Sequence, residues 1–214
     1  MKLTLYYAPL ACSLVPLISL NEAGAEFEVK PVNTRKAEQM SPEYLRMNPK
    51  HKVPVLLIDG KPLTENVAMA LWMTRAFPKA GILPADSDTE VKAISIMAWC
   101  ASGIHPQLTR INSPAKFCDT PGSEESLKRL AAKELDHVFG IADDMLAGRE
   151  YFFDKWCAAD SHFFWAWRRA IVLGLDFSKH RNCVAHSERM QQRPAVKKAL
   201  DFEKQVQAQF AKAA

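Results

Sequence analysis

Tyr7-Ala8-Pro9-Leu10-Ala11-Cys12-Ser13 is the stretch on which the fold turns. Ahead of it, Leu3, Leu5 and Tyr7 alternate along a strand-like run, and behind it Leu14, Leu17 and Leu20 recur at helical spacing. Cys12 and Ser13 therefore fall where a strand hands over to the first turn of a helix. Unpaired backbone N–H groups and the positive end of the helix dipole gather there, and both favour a thiolate. Two later blocks extend the pattern: Asn48-Pro49-Lys50-His51-Lys52-Val53-Pro54 and Leu63-Thr64-Glu65-Asn66-Val67-Ala68.

Outward from this stretch, residues 2–7 read as a strand and 11–23 as a helix that Gly24 stops. Residues 27–32 read as a second strand, and 41–47 as a short helix that Ser41 can cap. Strands over 53–58 and 61–63 meet at Asp59-Gly60, a dipeptide suited to a tight hairpin, and 66–77 is helical. The order β-α-β-α-β-β-α defines a small α/β domain over residues 1–77.

Residues 78–87 hold two prolines and a glycine without helical period and read as a linker. From 88 to 214 every strong signal is helical: 88–112, 123–146, 158–175, 183–192 and 194–210. The 158–175 segment is apolar nearly all round, which predicts a buried central helix. Pro106 removes one helical N–H and predicts a kink beside His105.

The 214 residues, 48% hydrophobic and 24% charged, have the balance of a globular chain with room for two cores. A net charge of +4, without a run of five basic residues, argues against a nucleic-acid surface. The uncharged stretch 170–175 is too short to cross a bilayer. Five cysteines without a CxxC pair, and no leader-like N-terminus, lead us to expect reduced thiols in a cytoplasmic protein.

Several residues can carry chemistry. Cys12 could face a bound thiol, although free cysteine often serves as a small buried apolar residue. Ser13 could donate to a sulfur anion or satisfy its own backbone. Spacing alone does not choose between them. A cis Val53-Pro54 bond would turn the Val53 backbone outward to pair with an extended peptide. The turn at Glu65-Asn66 offers backbone N–H groups to a carboxylate and a side-chain carboxylate to an ammonium, the two charges of an α-amino acid end. Plain N-capping by Asn66 is compatible with that use. His105, with Ile104 and Leu108, falls where an apolar pocket in the helical half could form.

With Ala159-Asp160 and Arg193-Pro194-Ala195-Val196, these blocks resemble the cytosolic glutathione S-transferases over nearly the whole chain, and bacterial beta-class members in particular. The resemblance implies a thioredoxin-like N-terminal domain, a helical C-terminal domain and a homodimer. It implies glutathione as co-substrate and no metal. Val53, with Pro54 and Lys52, would hold the cysteinyl backbone; Glu65 and Asn66 would hold the γ-glutamyl end; Lys36, or else Arg35, would add a cation. Cys12 matches the beta-class cysteine beside the glutathione sulfur, and His105 the histidine of the helical domain. The family pattern has glycine where this chain has Leu10, and Ser or Thr where it has Cys157.

The activity implied is addition of the glutathione sulfur to a small hydrophobic electrophile. Thiol–disulfide exchange through Cys12, or binding without catalysis, are the alternatives. No nucleic-acid or membrane partner is expected.

Overall fold

The computed structural model describes residues 1–212. The chain divides into two compact units, residues 1–85 with 191 onward, and residues 86–190.

In the first unit, β1 (Leu3–Tyr7), β2 (Glu28–Pro31), β3 (Val55–Ile58) and β4 (Lys61–Thr64) form one sheet in the order β2-β1-β3-β4. β1 pairs parallel with β2 and antiparallel with β3, and β3 pairs antiparallel with β4. The parallel pair needs a crossover, which α1 (Leu14–Glu22) supplies. That helix ends in a Schellman turn: Gly24 N–H donates to Asn21 O and Ala25 N–H to Leu20 O, with Gly24 at φ 60°. The β3–β4 hairpin closes on Asp59 and Gly60, both at positive φ (48° and 83°), the backbone of a type I′ turn.

Two helices follow the sequence pattern closely. α2 (Pro42–Met47) starts with Ser41 Oγ accepting from Tyr44 N–H at 3.2 Å and with proline in its first turn. α3 (Asn66–Ala76) buries Met69, Ala70 and Met73. The residues Leu14 to Leu20 of α1 are all buried because β1, α3 and the C-terminal helix α9 (Pro194–Lys212) all pack on it. A division at residue 88 assigns that last helix to the helical domain; instead it belongs to the first unit. Arg193 grips Glu22 of α1 through Nε (2.7 Å) and a second nitrogen (3.0 Å), and Val196 and Ala199 are buried. Ala213 and Ala214, the end of the expected 88–214 domain, lie outside the described residues.

The second unit is helical. α4 (Ser87–Trp99) is capped by Asp86, whose carboxylate accepts from Thr89 N–H at 2.9 Å. The expected single helix over 88–112 is broken by a π-helical turn, Cys100–Ile104, before α5 (His105–Asn112). Pro106 cannot donate, and His105 N–H reaches back to Cys100 O, so the chain widens rather than simply bending. α6 (Ser123–Met145), α7 (Ala158–Val172) and most of α8 (Arg181–Gln192) complete it. Phe139 of α6 meets Trp167 of α7 edge-on at 4.9 Å and Phe177 at 5.0 Å. α7 is buried almost continuously from Ala158 to Trp167. The buried Asp160 carboxylate accepts from Cys157 N–H (2.9 Å) and Phe152 N–H (3.0 Å) and meets His186 Nε2 (3.0 Å), so the start of α7 is held from three directions. This is a thioredoxin-like α/β domain with a helical domain. No helix among the described residues is long and apolar enough to cross a membrane.

Candidate functional site

Residues 8–13 form the turn between β1 and α1. Its shape is set by two anchors. Ser13, fully buried, accepts from Ala8 N–H and donates to Ala8 O, both at 3.0 Å. Its hydroxyl is thus consumed inside the turn. Glu203 of α9, also fully buried, accepts from the Tyr7 hydroxyl (2.8 Å) and Leu10 N–H (2.7 Å). Leu10 sits at φ 63°, a conformation glycine adopts without steric cost.

Cys12 projects from this turn toward the loop before β3. Its thiol donates to Val53 O at 3.6 Å, and Asn66 Nδ2 donates to Cys12 O at 3.2 Å. Burial pushes the Cys12 thiol up to about 12, with Glu65 adding to the rise, against backbone and Asn66 hydrogen bonding and the Lys52 charge. The expected thiolate is therefore replaced by a protonated thiol. Desolvation of the sulfur outweighs the helix N-terminus.

The loop carrying Val53 is fixed at its neighbour. Lys52 O accepts from the Tyr44 hydroxyl (2.7 Å) and from Asn48 Nδ2 (2.8 Å). The Val53–Pro54 peptide is cis. At the next turn, Glu65 occupies the N-cap position of α3 at φ 73°, ψ 125°, a region that side chains rarely occupy. Asn66 is the first helical residue, where the helix was expected to begin; of its two readings plain N-capping does not occur, and its side chain reaches back to Cys12. The Glu65 carboxylate pairs with the Lys50 ammonium, which also donates to Thr64 Oγ1 at 2.8 Å. One cluster within the first unit thus joins Cys12, Val53, Glu65 and Asn66. Lys36 and Arg35 lie on an exposed turn capped by Asn33, and the Lys52 side chain is exposed.

In the helical unit, His105 opens α5 half-buried, its ring edge-on to Trp165 at 4.7 Å. Ile104 and Leu108 are buried, so of the three expected pocket residues only His105 presents appreciable surface. His162 of α7 is buried, its pKa lowered to about 3 by desolvation and by the nearby His105. No group of histidine, cysteine and acidic side chains suited to a metal occurs among the described residues.

Three participants escaped the sequence reading. Lys50 stood inside a quoted block without a role. His162 lay hidden among the apolar residues of α7. Glu203 did leave a signal: Val196, Ala199, Glu203 and Val206 form one helical stripe, and a carboxylate on an apolar stripe marks a buried partner.

Comparison with known proteins bears on the family and the fold. Residues 1–72 match the family model "Glutathione S-transferase, N-terminal domain". The chain is 30% identical over 203 residues to the glutathione S-transferase GstA of Escherichia coli O157:H7, covering 93% of this chain and 98% of that one. Its fold matches a beta-class enzyme of Sphingomonas chungbukensis (TM-score 0.82, 31% identity, 94% of this chain and 98% of that one). It also matches a sphingomonad glutathione S-transferase solved with glutathione (TM-score 0.83, 29% identity, 94% of this chain and 98% of that one). A thioredoxin-like domain with a helical partner defines the class. Within that class, the chain belongs to the glutathione S-transferase family, similar to its bacterial beta-class members, and is an enzyme of that kind.

Proposed function

We propose that the protein adds the glutathione sulfur to small hydrophobic electrophiles, a detoxifying conjugation in the cytoplasm. The observation that carries this reading is the convergence of the Cys12 thiol, the Val53 backbone and the Glu65-Asn66 turn within one unit. Glu65 takes the γ-glutamyl ammonium, displacing Lys50, and backbone N–H groups at the start of α3 take its carboxylate. The cysteinyl backbone pairs with Val53 beside Pro54 as an added strand. Lys36 and Lys52 offer cations to the remaining carboxylate.

The chemical task is thiolate supply. A thiol of pKa about 8.5 is only a few per cent ionised at neutral pH. Cys12, held protonated, is a donor: its S–H turns from Val53 O to the glutathione sulfur and stabilises the anion. Ser13 shapes the turn while its hydroxyl stays on Ala8. His105 is the proposed contact for the electrophile in the helical unit. A raised Cys12 pKa disfavours thiol–disulfide exchange through Cys12, which needs a thiolate.

The second partner we propose is another copy of the chain. β4 is an edge strand, and beside it Leu63, Leu71 and Trp72 line a 510 Å³ hollow between Lys61 and Arg75. A homodimer would cover that apolar edge. The free cysteines suit a reducing compartment.

Calorimetry with glutathione, followed by a chlorodinitrobenzene conjugation assay, tests the reading. Saturable binding that is lost in Glu65→Ala, with turnover that falls in Cys12→Ala, is expected. A folded protein that does not bind glutathione would overturn it. Intact mass after treatment with oxidised glutathione should show Cys12 unmodified.

A further inference from the structure

His162 is a polar ring in a place built for carbon. It lies early in α7, 1% exposed, and neither of its ring nitrogens has a hydrogen-bond partner among the described residues. A neutral imidazole carries one N–H donor and one acceptor lone pair, and burying either unmatched costs its full desolvation. Packing alone does not call for these nitrogens. Phe163, Phe164, Trp165 and Trp167 beside it are all buried, and a phenylalanine at position 162 would fill the space with nothing left to satisfy. An orphan of this kind in a native fold implies a partner.

The polar neighbour is His105. Both rings lie against Trp165, His162 at 6.0 Å and His105 at 4.7 Å between centroids. Burial first, and His105 second, lower the His162 pKa to about 3, so His162 stays neutral and lies within electrostatic reach of His105. The backbone under His105 is also irregular. His105 follows the π-helical turn directly, a distortion that recurs at functional sites. Pro106 and Trp99 build that turn in: the Trp99 ring occupies the space a Cβ at residue 103 would need, 2.9 Å from its Cδ1. α5, with His105 at its head, packs on α7, which carries His162.

We propose that His162 is a positioning residue for His105, linked to it through one buried water that fixes the orientation of the His105 ring and the nitrogen that carries its proton. Buried polar groups without a protein partner are commonly satisfied in this way. In a neutral imidazole, the nitrogen that holds the proton is set by the hydrogen bond the other one makes. A water held by His162 engages one nitrogen of His105 and leaves the other with a single role, donor or acceptor, toward the electrophile. His162 itself touches no substrate. The catalytic consequence rests on the proposed contact of His105 with the electrophile; the link between the two rings does not.

Nitrogen NMR spectra of isotopically labelled histidine rings test the link in the ligand-free full chain at mildly alkaline pH, with His105→Gln assigning the signal. One dominant neutral tautomer of His105 is expected in the parent, and a mixture of both in His162→Phe, which keeps a ring and loses both nitrogens. His162→Leu reads the same signal if the phenylalanine variant does not fold. A tautomer ratio at His105 that is unchanged in the apolar variant overturns the proposal. Turnover of chlorodinitrobenzene supplies the second readout. His162→Phe is expected to lower kcat about fivefold, the worth of one bridged hydrogen bond, with the glutathione Kd unchanged, and to have no effect in a His105→Gln background. An unchanged kcat, or a loss of equal size in that background, overturns the positioning role. If the chain binds no glutathione, the proposed function falls, and the ring spectra still decide whether His162 sets His105.

Discussion

Glu203 and Tyr7 stand 196 positions apart in the chain and share a 2.8 Å hydrogen bond inside the first unit. The same carboxylate oxygen accepts from Leu10 N–H, so α9 sets the turn that presents Cys12. Glu203→Leu removes the acceptor of both donors. We expect a loss of about 3 kcal/mol in urea unfolding, with Glu203→Gln, which retains an oxygen, losing roughly half of that. A Glu203→Leu protein as stable as the parent would refute the role.

The two candidates at the head of α1 should separate cleanly. Cys12→Ala should leave stability nearly unchanged and lower kcat/KM for conjugation by about tenfold or more, the cost of one donor to a developing anion. Ser13→Ala breaks two buried hydrogen bonds and should cost about 1–3 kcal/mol of stability. Turnover reduced by Ser13→Ala at full stability, with Cys12→Ala fully active, would reverse the assignment.

Reactivity offers a direct reading of Cys12. With its pKa near 12, the folded protein should leave Cys12 unalkylated by iodoacetamide at pH 7.5. Cys118 should react first, because hydrogen bonding from Ser123 and Thr120 holds its thiol below the ordinary range at an exposed loop. The sign carries over to stability. A folded-state pKa above the unfolded one means that the unfolded chain loses its proton first, so stability present below about pH 8.5 falls as pH rises toward 12. Cys12→Ala should flatten that alkaline limb in urea titrations.

Glu65 should trade stability for binding. At φ 73° the side chain imposes strain of about 1–3 kcal/mol. Glycine relieves it at an entropic cost of about 0.4–1 kcal/mol. Glu65→Gly should therefore melt later, while its glutathione Kd rises about tenfold through loss of the carboxylate. A less stable Glu65→Gly would show that the backbone there is not strained.

His162 predicts acid sensitivity. Its folded pKa near 3 lies well below the ordinary 6.5, so below pH 6.5 the unfolded chain takes a proton that the fold refuses. Stability is complete above pH 6.5 and is lost toward pH 3, at up to about 1.4 kcal/mol per pH unit. His162→Phe should show a shallower acid limb by that amount in chemical denaturation across pH 4–7.

Local signals in the chain settled a good deal. Alternation at Leu3, Leu5 and Tyr7, the Gly24 stop, Ser41 before Pro42, and Asp59-Gly60 each state a backbone preference that depends on immediate neighbours, and each element formed. The blocks at Cys12, Val53-Pro54 and Glu65-Asn66 marked the glutathione S-transferase family for the same reason: they shape turns. Tertiary structure decided what those turns hold. Only packing could turn the Ser13 hydroxyl onto Ala8, raise rather than lower the Cys12 thiol, make Asn66 a donor to Cys12 instead of a cap, and carry Glu203 from the far end of the chain to Tyr7. A backbone preference is fixed within a few bonds. The partner of a polar group, and the desolvation of a sulfur, depend on which distant segments arrive beside them.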